Sequence, residues 1–108
     1  MKRKHFDHFN IAGFAYYEGA IAFNDLKIGT KLKLKPEKKN RYDENAVAIY
    51  YKNRKLGFVP AANNKPIATI LNAGHNIFEV RIQQIFAEAH LNQQMQVVVF
   101  VLKQKKEI

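Results

Sequence analysis

The chain has 108 residues, is 47% apolar and 25% charged, and sets eighteen Lys and Arg against nine Asp and Glu for a formal charge of +9. That length suits one compact domain with a real core, and the basic excess puts polyanions, nucleic acid first, at the head of the expected partners. The absence of cysteine excludes disulfides, thiolate nucleophiles and cysteine-based metal sites, and agrees with a reducing, cytoplasmic setting.

Residues 1–14, MKRKHFDHFNIAGF, begin like a signal peptide but lack its apolar stretch, because Asp7, His8 and Asn10 interrupt it. Residues 1–8 therefore read as a flexible basic segment, 9–103 as the domain and 104–108 as a flexible tail. Residues 11–17 are rich in aromatic and β-favouring types and read as the first strand. Period-2 geometry would send its last two side chains, Tyr16 and Tyr17, to opposite faces, one into the core and one outward. A short helix or turn is weakly marked at 20–26.

Seven of the eighteen basic groups fall within residues 27–41, where Glu37 is the one acid. Inside that stretch KLKLK alternates strictly, so a strand at 31–35 turns Leu32 and Leu34 inward and Lys31, Lys33 and Lys35 outward. Turn residues follow at 36–41 and continue into Tyr42-Asp43, since Asn and Asp bond their own backbone. Further strands are expected at 46–51, 56–59, 77–86 and 95–102, with turns at 52–54 and 92–94. One principal helix is expected at about 64–73, capped by Asn64, with Pro66 in its first turn and Gly74 ending it. These elements predict a mostly β fold, a barrel or sandwich with the helix closing one end. The longest apolar run, residues 97–102, is far below the roughly 20 residues of a membrane-spanning helix.

Catalytic groups are sparse. There is no phosphate-binding glycine loop, GxSxG or HExxH. His5 and His8 lie near the N-terminus, expected to be too mobile for ligation, and His75 and His90 are isolated in sequence. Asp43 and Glu44 allow a metal-dependent nuclease as a third-ranked alternative, although their spacing with Asp25 does not converge. No metal or cofactor is expected. An exposed tyrosine beside a basic stripe is instead a platform for unpaired bases, worth about 1–3 kcal/mol per base. Asp43 fixes a turn at the least. As a carboxylate among cations it also suits a strand end bearing a hydroxyl, whose O–H it accepts strongly, better than it suits phosphate.

GFAYYEG at 13–19, the run LKIGTKLKLKPEKKNRYDENAVAIYYKNRKLGFVP at 26–60 and the NNKPIATIL segment at 63–71 together resemble the HIRAN domain, found alone or joined to chromatin-remodelling-type helicases and nucleases. The resemblance spans about residue 10 to beyond residue 86. It implies a six-stranded OB-like β-barrel and, as in the best-understood members, capture of the unpaired 3′ end of DNA. By motif position Tyr16, Asn40, Tyr42 and Asp43 carry over as the end pocket, with Tyr17 filling the neighbouring face. Three positions depart from the end-binding pattern: Ala15 stands for an arginine, Phe58 for a histidine and Ala61 for a lysine.

The function expected is thus non-catalytic binding of single-stranded DNA at a free 3′-hydroxyl end, in repair or replication-fork processing, with a helicase or nuclease acting in trans. Tyr16 and Tyr42 would stack bases, Phe58 would stack in place of the histidine, and Asn40 would bond the terminal sugar or base. Asp43 would accept the hydroxyl proton. Lys33, Lys35, Lys38, Lys39 and Arg41 would hold phosphates. The runner-up is a protein-interaction module on the same barrel, which the three departures favour.

Overall fold

In the computed structural model, which describes residues 2–89 and 94–103, six strands form one antiparallel sheet. They are β1 (Arg3–Asn10), β2 (Lys31–Pro36), β3 (Val47–Tyr51), β4 (Arg54–Phe58), β5 (Phe78–Ile85) and β6 (Met95–Leu102). Their order across the sheet is β1-β6-β5-β2-β3-β4. Two helices accompany them, α1 (Gly19–Ala22) and α2 (Ala61–Asn72). This is the mostly β, six-stranded OB-like architecture expected. The sheet is not closed by a continuous ladder: among the described residues its edges meet at one bridge, where Ala12, just past β1, exchanges backbone hydrogen bonds of 2.8 and 2.9 Å with Phe58 of β4.

Alternation explains the inner strands. Leu32 of β2, Val80 and Ile82 of β5, and Met95, Val97 and Val99 of β6 are all buried in one cluster with Ile49 and Leu56. Each fully buried aliphatic side chain contributes roughly 1.5–3 kcal/mol relative to exposure. Lys31, Lys33 and Lys35 are exposed on the opposite face of β2, as the pattern predicts.

Three expectations are corrected. Residues 3–8 are not a loose end but most of β1, hydrogen-bonded along β6. The register shifts between His5 and Asp7, and that bulge breaks the period. Phe6 and Phe9, three apart, consequently both pack on the core, while His5 Nε2 and His8 Nδ1 come within 2.9 Å outside it. Residues 11–17 are not a strand. Gly13 takes φ +72°, a left-handed conformation that ends extended structure, and Phe14–Tyr16 form a 3-10 turn. Finally, α2 begins at Ala61 and Asn64 is a buried residue within it, not its cap. Asn63 and Asn64 instead donate to the Asp7 and Asp43 carboxylates at 3.0 and 2.8 Å, setting two anions against the first turn, where the helix dipole favours them. Pro66 accordingly lies in the second turn, where it has no N–H to donate to the Ala62 carbonyl; both residues are exposed. Gly74 does end the helix: its N–H donates to Leu71 and that of His75 to Ile70.

The turn expected at 92–94, His90 and the tail at 104–108 fall wholly or partly outside the described residues. Among the described residues no helix is long and apolar enough to cross a membrane.

Gly57 makes the edge-to-edge contact possible. It has φ +151°, and a Cβ there would stand 2.4 Å from the Ala12 carbonyl oxygen and 2.6 Å from an Ile11 methyl. Gly57→Ala is therefore expected to cost at least about 1–3 kcal/mol from the backbone conformation, with the steric clash in addition. A denaturation midpoint equal to that of the wild type would show that the edges can part without loss.

Candidate functional site

The loop from β2 to β3 is organised by its own side chains. Asn40 Oδ1 accepts the N–H groups of Tyr42 and Asp43 at 2.9 and 3.1 Å, and its amide donates to Glu37 Oε1 at 3.1 Å. Asp43 Oδ1 accepts the Asn45 N–H at 2.9 Å, while Oδ2 takes the amide of Asn64 at 2.8 Å. Asp43 thus does fix the turn, and it also ties the loop to α2. Each of its oxygens accepts one of these hydrogen bonds and has a second lone pair to offer.

Opposite this loop stands an aromatic wall. The Ala12–Phe58 bridge and a 2.9 Å hydrogen bond from the Glu18 N–H to the Lys55 carbonyl hold the turn after β1 against β4. Tyr17 is thereby placed edge-on to Phe58, with ring centroids 5.6 Å apart. Lys55 Nζ lies 4.3 Å from the Phe58 centroid and 5.0 Å from that of Tyr17, within cation–π range of both. Glu37 Oε2 holds the ammonium at 2.7 Å. Burial alone would raise the Glu37 pKa, but hydrogen bonds from Lys55 and Asn40 and the charges of Lys55 and Lys35 outweigh it and leave the carboxyl below its ordinary value of 4.5.

Between loop and wall is an open cavity of about 270 Å³. It brings together five of the residues expected from sequence, Tyr17, Asn40, Tyr42, Asp43 and Phe58, and adds Asn64 and the small apolar surfaces of Ala12, Ala46, Val59 and Ala61. Tyr42 is 93% exposed and Tyr17 40% exposed, so both rings offer surface to an incoming group. Tyr16, 80% exposed on the 3-10 turn, is not part of the lining. The opposite-faces expectation for the two tyrosines does not hold, because they do not lie on a strand. Lys38, Lys39 and Arg41 project from the same loop outside the cavity. Lys33 and Lys35 line a different recess on β2 and β3. Among the described residues no group of three or more His, Asp or Glu is placed to hold a metal.

Lys55 was not legible in the sequence. It lies three residues from Phe58, and simple alternation puts the two on opposite faces. The register shift between Ile49 and Tyr50 against β4 makes Leu56 an extra residue and brings both to the same side. Asn64 was legible as a helix-start residue, but its partner was not.

Glu37 gives the site a pH signature. Its pKa is lowered on folding, so its stabilising contribution is fully present above about pH 4.5 and is lost as pH falls through the folded value. Glu37→Gln should therefore flatten the acid limb of stability in denaturation series run between about pH 6 and pH 3. Parallel wild-type and variant curves would remove Glu37 from this role.

Two solved structures share the fold. A structural-genomics protein from Lactobacillus plantarum superposes with a TM-score of 0.79 at 22% identity, over 95% of this chain and 98% of that one. The HIRAN domain of human HLTF superposes with a TM-score of 0.62 at 16% identity, over 94% of this chain and 81% of that one. No curated protein sequence matches the chain. The HIRAN domain family model matches residues 7–101, from within β1 to within β6, and the chain belongs to the HIRAN domain family.

Proposed function

We propose that the cavity binds the unpaired end of a DNA strand, with a preference for a free 3′-hydroxyl, without catalysing a reaction on it. The observation that carries this reading is the meeting, in one open cavity with room for about one nucleoside, of two exposed tyrosine rings and a carboxylate with acceptor capacity to spare. Membership in HIRAN, a family of DNA-binding domains, supports it. Tyr42 and Tyr17 stack a base, with Phe58 behind them. Tyr16, outside the cavity, serves a neighbouring base. Asp43 accepts the terminal O–H. Asn40 has one amide hydrogen left for a sugar or base, its oxygen being occupied by the loop. Lys38, Lys39 and Arg41 have no ion pair among the described residues and hold phosphates. Such a domain serves repair or replication-fork processing by presenting strand ends to a helicase or nuclease acting in trans.

A second reading, docking of a protein segment, is favoured by the apolar side of the cavity, where Phe58, Val59 and Ala61 stand together. Salt separates the two. DNA affinity falls by about 0.7 in log K per phosphate contact for each tenfold rise in salt, whereas an apolar peptide contact responds far less.

The decisive titration compares single strands ending in a 3′-hydroxyl or a 3′-phosphate. The hydroxyl strand should bind more tightly, because a terminal phosphate sets negative charge against Asp43 and removes the donor. Asp43→Asn should narrow the difference, and Tyr42→Ala should cost roughly 1–3 kcal/mol on the hydroxyl strand. Equal binding of both ends by the wild type would overturn end recognition, and an inert Tyr42→Ala would overturn stacking.

A further inference from the structure

Away from the cavity, the outer face of β2 and β3 carries a recess of about 360 Å³ lined by Lys33, Leu34, Lys35, Tyr50, Lys52 and Asn53. Lys33 lies across the strand pair from Tyr50, and Lys35 Nζ stands 5.6 Å from the same ring. The three lysines are exposed, and among the described residues none has an ion-pair partner. Alternate residues on one strand are about 7 Å apart, close to the nucleotide repeat of an extended single strand. Lys33 and Lys35 therefore match a phosphate backbone in charge and in spacing, and Lys52 adds a third cation to the same recess.

Lys52 adds an independent observation. It opens the two-residue turn between β3 and β4 with φ +54°, and among the described residues it is the one non-glycine with positive φ. Such a position favours glycine or asparagine, so backbone preference does not account for a lysine. Its ammonium stands 5.3 Å from the Tyr51 centroid, and Lys52 is part of the lining of the recess. The recess and the cavity lie at the two ends of one short stretch of chain, since Lys35 lines the recess and Asn40, five residues on, lines the cavity. Glu37, between them in sequence, holds Lys55 against the Tyr17–Phe58 wall.

We propose that this recess is a second DNA contact, a track on which Lys33, Lys35 and Lys52 hold the backbone phosphates of the strand whose end occupies the cavity, with Tyr50 as a platform between them. This rests on the function proposed above for the cavity, and it assigns the direction in which the bound strand leaves.

The test measures fluorescence anisotropy with 3′-hydroxyl thymidine oligonucleotides of two lengths, a dinucleotide that fills only the cavity and a dodecamer that reaches the track. The wild type should bind the dodecamer more tightly and with a steeper salt dependence. The double variant Lys33→Gln, Lys52→Gln should leave dinucleotide affinity unchanged. It should also lower the dodecamer salt slope by about 1.4, two contacts at about 0.7 each. An unchanged dodecamer slope and affinity in the variant would overturn the track. Dodecamer binding that depends on these lysines, without any dinucleotide binding, would overturn the cavity reading and leave the track standing. Failure of the wild type to bind either length would overturn both. Lysine acetylation of the wild type reads the same contact without relying on a variant: the dodecamer should protect Lys33, Lys35 and Lys52, and equal labelling with and without it would count against the track.

Discussion

The close approach of Ala12 to Gly57 is the contact on which the rest of the architecture depends. A backbone carbonyl occupies the space of a missing side chain, 2.4 Å from where a Cβ would be. That approach lets the chain leaving β1 bond to β4 and join the two edges of a sheet that its ladders leave open. The adjoining bulge rotates Lys55 onto the Phe58 side, and the same clasp carries Tyr17 to that wall. Fold closure and half of the cavity thus share one steric cause.

The other half is built from hydrogen bonds to carboxylates. Glu37 and Asp43 lie in the most basic part of the chain, yet both engage internal partners, Lys55 and Asn40 for the first and Asn45 and Asn64 for the second. The loop is thereby ordered before any ligand arrives, and its cations and the Tyr42 ring are turned outward. Ordering in advance reduces the entropy lost on binding. It also accounts for two acids within a surface that attracts anions: each is satisfied by named donors, and Asp43 keeps capacity toward the cavity.

How much of this was legible in the sequence follows from where the simple periods hold. Lys31, Lys33 and Lys35 alternate with Leu32 and Leu34 without interruption, and that strand lies where the pattern puts it, as do the cores of β3, β5 and β6. β1 was hidden because its bulge sets Phe6 and Phe9 three apart, which matches neither a strand face nor a helix of useful length. The 11–17 segment misled because its composition is strand-like while Gly13 reverses the backbone. In the cavity, the turn from Asn40 to Asp43 was legible from its Asn and Asp side chains, and the place of Asn40, Tyr42 and Asp43 in a common pocket from the motif shared with the HIRAN domain. The placement of Tyr17 over Tyr16, the wall position of Lys55 and the Asp43–Asn64 bond were not, since each depends on two segments meeting in space.

On the function proposed here, the β2–β3 loop and the Tyr17–Phe58 wall act together as one preordered site for a strand end. Amide and aromatic chemical-shift mapping by NMR during titration with a 3′-hydroxyl trinucleotide tests it most directly. Shifts should centre on Tyr17, Tyr42, Asp43, Phe58 and Asn64, with resonances of the loop amides already dispersed in the free protein. Saturable binding that leaves those five residues unshifted and perturbs a different face would contradict it.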